Sequence, residues 1–153
     1  MSEIVIVDAS VFAKLIIEED DTDHALAFFA YAKANSFYLR APSLFLYEAL
    51  ALASPYKGGS IGGYELLLDF LNAGFELVEI SDRVVRRALE ISNSGHPKSG
   101  FPSFYDASYH ALALLDGGIF LTSDQRHVAK TSVFGSVVLL KDWRSHFRTA
   151  HSS

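Results

Sequence analysis

Four carboxylates in this 153-residue chain stand where acids rarely stand without a purpose: Asp8, Glu48, Asp106 and Asp124. Asp8 and Asp124 each come at, or just after, the end of a β-branched or apolar run, Ile4 to Val7 and Ile119 to Thr122. Glu48 interrupts an apolar run from Leu44 to Leu50, where a lone carboxylate is costly to desolvate unless it is paired or binds a cation. Asp106 falls in the first turn of a helix expected to open at Ser103. Carboxylates gathered without basic partners repel one another and raise one another's pKa, and a hard divalent cation removes that penalty. Mg²⁺ favours such oxygen ligands and takes one or two carboxylates directly, with the others further out. A carboxylate cage of this kind, holding Mg²⁺ or Mn²⁺, suits hydrolysis of a phosphodiester.

Each acid also has a plain structural use. Asp8 and Asp124 can cap the helices that follow them, and Ser103 with Asp106 has the spacing of a capping box. Glu48 can face solvent on a partly exposed helix. Capping alone does not explain why two of the caps also terminate strands. In an open α/β sheet the ligand sites lie beyond the carboxyl ends of the strands.

The elements that must position these acids alternate along the chain. Ile4-Val5-Ile6-Val7 reads as a strand buried on both faces, as in a parallel sheet. Val11, Phe12, Leu15 and Ile16 then fall at helical spacing, and a second helix is expected from Asp23 to Ala34. A short strand begins at Phe37 and ends at Ala41-Pro42. Ser43 opens an apolar helix through Ala53. The Gly-rich stretch from Lys57 to Gly63 matches no phosphate-cradling motif and reads as a flexible connection to a helix from Tyr64 to Ala73. A strand from Phe75 to Ile80, a helix from Ser81-Asp82 to Ser92 and a loop from Asn93 to Pro102 follow. Then come a helix from Ser103 to Leu115, the strand Ile119 to Thr122, a turn or short helix at Ser123-Asp124, and a strand from Val137 to Leu140. The pattern predicts a three-layer α/β/α sandwich around a mainly parallel sheet, with residues 1–153 forming a single domain.

Composition narrows the setting. Half the residues are hydrophobic and a fifth are charged, as in a globular protein. The absence of cysteine excludes disulfide frameworks and thiolate metal sites. The apolar stretches Leu44 to Ala53 and Ala107 to Leu115 are too short to span a bilayer, and no signal peptide is evident after Met1, so a cytoplasmic, membrane-free setting is expected. The net charge of −5 argues against a broad basic nucleic-acid face, although bound cations can supply phosphate attraction. The basic clusters Arg83/Arg86/Arg87, Arg126/His127/Lys130 and Lys141 to His151 read as solvated helix faces.

Four segments together resemble the motifs of PIN domains, in the right order across essentially the whole chain. They are Ile6 to Lys14, Pro42 to Glu48, Tyr105 to Ala113 and Leu121 to Asp124, and the closest flavour is the VapC-type toxins of toxin–antitoxin pairs. The resemblance implies a PIN fold and a Mg²⁺- or Mn²⁺-dependent endoribonuclease that acts on RNA. It also implies a homodimer and a small antitoxin partner. It carries over Asp8, Glu48, Asp106 and Asp124 as catalytic and metal-binding acids. Ser10 and Thr122 match polar positions beside the site, and Lys14 also matches, with a solvated helix lysine as its alternative. The chain departs from the family in three places. No Asn follows Glu48 in the apolar turn Ala49 to Ala53, His110 stands where an apolar or aromatic residue is commoner, and Gln125-Arg126-His127 comes without the usual aromatic a few positions on. Rival readings are a different Mg²⁺-dependent phosphohydrolase and a PIN-like RNA-binding or RNA-processing protein outside a toxin–antitoxin system. A haloacid-dehalogenase phosphatase would need an Asp at position 10, where Ser10 stands. A receiver would need an acidic pair before its phosphorylated Asp strand and a late strand-end Lys, and neither is evident. A module that only binds would be expected to have lost acids, and this chain keeps all four.

Overall fold

The computed structural model describes residues 3–54 and 59–151. In chain order the elements are β1 (Ile4–Val7), α1 (Ala9–Ala13), α2 (Thr22–Ala34), β2 (Tyr38–Pro42), α3 (Leu44–Ala53), α4 (Gly59–Asn72) and β3 (Glu76–Val78). They continue with α5 (Asp82–Ser92), α6 (Phe104–Asp116), β4 (Ile119–Thr122), α7 (Gln125–Thr131), β5 (Val137–Leu139) and α8 (Trp143–His151). Short 3₁₀ turns at Ser132–Phe134 and Leu140–Asp142 flank β5.

The strands form one sheet in the order β3-β2-β1-β4-β5, and every pairing is parallel. Helices cover both faces, which is why Val5, Ile6 and Val7 of the central strand are all fully buried. One layer is α6 lying against β1, β2 and β4, with α5 stacked on it. The other is tied together by aromatic rings. Phe12 of α1 meets Phe45 of α3 and Phe70 of α4 edge-on at 5.4 and 5.2 Å, and Phe28 of α2 meets Trp143 and Phe147 of α8.

The order of the strands fixes where a site can form. From β1 the chain builds outward to β2 and β3, then returns across the sheet to build β4 and β5 on the other side. The crevice at that reversal lies between the carboxyl ends of β1 and β4.

One expectation is overturned. The sequence predicts a flexible connection from Lys57 to Gly63. Lys57 and Gly58 lie outside the described residues, but α4 already begins at Gly59. Packing outweighs the low helix propensity of glycine at this point. A Cβ on Gly63 would lie 3.0 Å from Ile16 Cδ1 and 3.5 Å from Ala53 Cβ, so the bare backbone lets α4 close on α3 and the turn after α1. β3 is also shorter than the expected Phe75 to Ile80. As an edge strand it pairs only with β2, and Phe75 is instead packed into the core against Phe45.

Candidate active site

Asp8 follows β1 directly, and its backbone N–H extends the β1–β4 ladder to Leu121 O at 3.0 Å. The extended backbone at Asp8 makes it the N-cap of α1, and its carboxylate is buried between two hydroxyl donors. Thr122 Oγ1 donates to Oδ2 at 2.6 Å and Ser10 Oγ donates to the same oxygen at 2.9 Å. Each hydroxyl is also an acceptor: Thr122 Oγ1 takes the Asp124 N–H at 3.0 Å, and Ser10 Oγ takes the Ser123 N–H at 3.4 Å. The ends of β1 and β4 are thus stitched together through Asp8. Burial pushes the Asp8 pKa up. The hydrogen bonds from Thr122 and Ser10 pull it back and the charge of Asp124 adds to the rise, leaving it above the usual carboxylate value.

Asp124 caps α7, with Oδ1 accepting from the N–H groups of Arg126 and His127 at 2.9 and 3.2 Å. Asp106 reaches the same rim because of a tight connection. Gly117 takes a left-handed conformation (φ 69°), and a Cβ on Gly118 would lie 2.5 Å from Ile4 O. The two glycines fold α6 straight back along β4, so the start of α6 lies beside the end of that strand. Ser103 caps α6 through the Asp106 N–H at 3.1 Å. The Asp106 carboxyl is pushed up to about 7, first by burial and then by the charges of Asp8, Asp124 and Glu48. A hydrogen bond to Asp124, which only the neutral acid can donate, adds to the rise. The four acids therefore share one electrostatic neighbourhood.

Glu48 is half-buried on α3, and Tyr109 Oη donates to its Oε1 at 2.7 Å. Burial raises the Glu48 pKa, the Tyr109 bond opposes the rise, and the charge of Asp8 adds to it. Tyr109 is itself fully buried, stacked on Phe120 at 5.5 Å, and its phenol is held protonated by burial and by the nearby carboxylates. Tyr109 lies within the motif from Tyr105 to Ala113, but the sequence alone assigns it no role. The available signal was its position three residues after Asp106, on the same face of the helix.

Two further side chains that the sequence singles out have partners of their own. Lys14 is held by Glu19 and Asp21 at 2.5 and 3.1 Å rather than by the four acids. His110 is fully buried beside His127, with ring nitrogens 3.2 Å apart, and its Nε2 donates to Gly135 O at 2.7 Å. That bond makes His110 Nδ1 the acceptor from His127 Nε2, which leaves His127 Nδ1 as a buried lone pair with no partner. Both rings are held neutral by burial. They belong to the core behind the rim.

The donor set is chemically suited to a hard cation. It consists of carboxylate and hydroxyl oxygens, and among the described residues no Lys or Arg offsets the charge at Asp8, Glu48 or Asp106. Among the described residues no three acids or histidines already converge tightly enough to enclose a metal. An ion that keeps several of its waters does not require such a closed cage, and this is the habit of Mg²⁺. The caps and the cluster do not compete, because at Asp8 and Asp124 one carboxylate serves both.

The family model of the PIN domain matches residues 5–132. Comparison with curated proteins gives no match. Among solved structures the chain is similar to PAE2754 from Pyrobaculum aerophilum, at 22% identity over 97% of this chain and 98% of that one, with a TM-score of 0.63. It is also similar to VapC20 from Mycobacterium tuberculosis, described as a sarcin-ricin loop cleaving toxin, at 16% identity over 82% and 93% with a TM-score of 0.64. A toxin–antitoxin complex from Klebsiella pneumoniae aligns at 14% identity over 89% and 97%, with a TM-score of 0.63. At these identities the likeness to solved structures establishes the fold.

Proposed function

This chain belongs to the PIN-domain family, and from that membership we propose that it is a metal-dependent endoribonuclease, the toxin of a toxin–antitoxin pair. The observation that carries the reading is Asp106, an acid at a helix start whose pKa is driven to about 7 partly by three neighbouring carboxylates. A protein gains nothing in stability from such a cluster. A site for a divalent cation and a phosphodiester accounts for it.

In this reading Asp8, Glu48, Asp106 and Asp124 hold Mg²⁺ or Mn²⁺, directly or through water. The ion would supply water activation and offset charge on an in-line transition state. The chain's own part is positioning. Thr122 and Ser10 fix the Asp8 carboxylate through Oδ2, so its other oxygen has only the 3.4 Å contact with the Ser10 N–H. Tyr109 fixes Glu48 in the same way. Asp106 would face the cation as a carboxylate, with its proton given up to solvent. Cleavage leaves a 3′-hydroxyl and a 5′-phosphate.

The relatives include a toxin described as cleaving the sarcin-ricin loop and a toxin–antitoxin complex, which supports RNA as substrate and a small antitoxin as partner. The apolar side chains exposed on α3 and α4, Tyr47, Leu52, Ile61, Tyr64 and Leu68, offer a surface for a homodimer or that antitoxin. No helix among the described residues is long and apolar enough to cross a membrane.

The direct test is cleavage of end-labelled single-stranded RNA. EDTA should stop it, Mg²⁺ or Mn²⁺ should restore it, and Asp8→Asn should abolish it while the circular dichroism spectrum is unchanged. Metal-independent cleavage, or an unchanged rate in Asp8→Asn, would refute the mechanism. Light scattering that gives a clean monomer would remove the homodimer.

A further inference from the structure

A cavity of about 570 Å³ has walls from two chain segments, the loop before α6 and the outer face of α7. Its lining includes His96, Ser99 and Gly100 from the loop, and Arg126 and Lys130 from the helix, with no carboxylate. Arg126 and Lys130 are one helical turn apart, so their side chains share a face. Neither has an acidic partner among the described residues, and the lining that they share contains no carboxylate. In a chain of net charge −5, two cations left unpaired in one concave surface point to an anionic ligand.

The loop is built rather than slack. His96 and Gly100 exchange backbone hydrogen bonds of 3.2 and 2.6 Å, and the Lys98 N–H donates to His96 Nδ1 at 3.1 Å, which leaves Nε2–H of His96 as a donor. Gly100 has φ +89°, and a Cβ there would lie 3.3 Å from Lys130 Nζ, so the bare backbone lets that ammonium lie against the loop.

Both walls run directly into the acids. Arg126 comes two residues after Asp124, whose Oδ1 accepts its N–H, and Gly100 comes six residues before Asp106. Between Gly100 and Asp106 the chain exposes three aromatic rings, Phe101 (50%), Phe104 (37%) and Tyr105 (63%). A basic concavity followed by exposed aromatics is the pairing that holds single-stranded nucleic acid, with phosphates on the cations and unpaired bases stacked on the rings.

Resting on the nuclease reading above, we infer that this groove is the substrate track: Arg126, Lys130 and His96 hold RNA phosphates beside the acids, and Phe101 and Tyr105 stack unpaired bases. The substrate class is then single-stranded or looped RNA rather than duplex, because only splayed bases present their faces to the rings. Stacking on Phe104 completes the path to Asp106.

Fluorescence anisotropy with a labelled single-stranded RNA tests this in EDTA, where binding is read without cleavage. The wild-type protein should bind the single strand at least tenfold more tightly than a duplex of the same length. Arg126→Ala/Lys130→Ala should weaken binding about tenfold and lower the slope of log affinity against log salt by about 1.4, since each phosphate contact on a single strand contributes about 0.7. Phe101→Ala/Tyr105→Ala should weaken binding with the slope unchanged, and Arg83→Ala on α5 should change neither. All substituted side chains except that of Lys130 are exposed, and thermal melts of each variant confirm the fold. Absence of wild-type binding, equal affinity for duplex, or a double cationic variant with wild-type affinity and slope would overturn the assignment. The two readings separate cleanly. Binding with these dependences but no cleavage in Mg²⁺ removes the nuclease and keeps the groove, whereas cleavage with the same KM in wild type and Arg126→Ala/Lys130→Ala keeps the nuclease and removes the groove.

Discussion

Neutralising Asp106 should make the metal-free protein more stable while destroying its activity. Asp106 titrates near 7 in the folded chain and near 3.8 when unfolded. Above pH 7 the folded protein must carry a charge that its surroundings resist, whereas the unfolded chain carries it freely. The unfavourable contribution is therefore complete above about 7 and fades as pH falls toward 3.8. A rise of about three pH units corresponds to roughly 4 kcal/mol. Asp106→Asn does not recover all of it. The amide still pays part of the desolvation, and a carboxylate in the first turn of α6 gains about 0.3–1 kcal/mol from the helix dipole that Asn forgoes. A net gain of about 1–3 kcal/mol remains, or about 3–10 °C in Tm for a chain of this size. The assay is thermal unfolding in EDTA, followed by circular dichroism, for wild type and Asp106→Asn at pH 8 and pH 5. The gain should be largest at pH 8 and less than half as large at pH 5, where the wild-type acid is already neutral when folded. Mg²⁺ at pH 8 should then raise the wild-type Tm and leave the variant nearly unmoved, because the ion and the substitution relieve the same repulsion. A variant that melts lower than wild type at pH 8, or a difference independent of pH, would refute the claim that the acids strain one another.

Other perturbations probe other links of the same structure. Thr122→Val removes the shortest hydrogen bond to the buried Asp8 carboxylate, and cleavage should fall at least tenfold with a stability loss of about 1–3 kcal/mol, read by urea unfolding. Tyr109→Phe frees Glu48 Oε1, and should lower kcat more than KM while costing about 1–2 kcal/mol; an unchanged kcat would show that Glu48 needs no fixing. His127 titrates near 4 when folded against 6.5 unfolded, so its neutral burial stabilises fully above 6.5, and about 3 kcal/mol is lost as pH falls to 4. Asp106 works in the opposite direction over the same window, so this loss should be measured in the Asp106→Asn background, and a flat profile there would contradict it. Gly118→Ala forces a Cβ to within 2.5 Å of Ile4 O, and should cost about 1–3 kcal/mol by pushing the turn between α6 and β4 away from β1; wild-type stability would show that the turn can relax.

The sequence by itself determined the strands, the layers and the acids. Ile4 to Val7 is apolar at every position, and such a run is stable only with both faces covered, so a parallel sheet under helices followed from four residues. Asp8 and Asp124 were legible because strand ends and helix caps are local events, written in adjacent residues. For Asp106 the sequence shows only a motif and a helix start; its meeting with the ends of β1 and β4 is visible only in the fold, where Gly117 and Gly118 turn α6 back along β4. What the tertiary structure alone decided were matters of packing between distant segments. The helix from Gly59 exists because Gly63 fits against Ile16 and Ala53, and no local propensity favours it. The bond from Tyr109 to Glu48 spans 61 residues of chain, and the contact between His110 and His127 depends on α7 folding over Phe120. The cluster Arg126/His127/Lys130, read as a single solvated face, is divided: His127 points into the core, while Arg126 and Lys130 line the cavity. Residue type and spacing reveal which groups carry charge and which face a helix offers. Which distant partner meets that face is set by the shape of the assembled core, because only there do the segments come within contact distance.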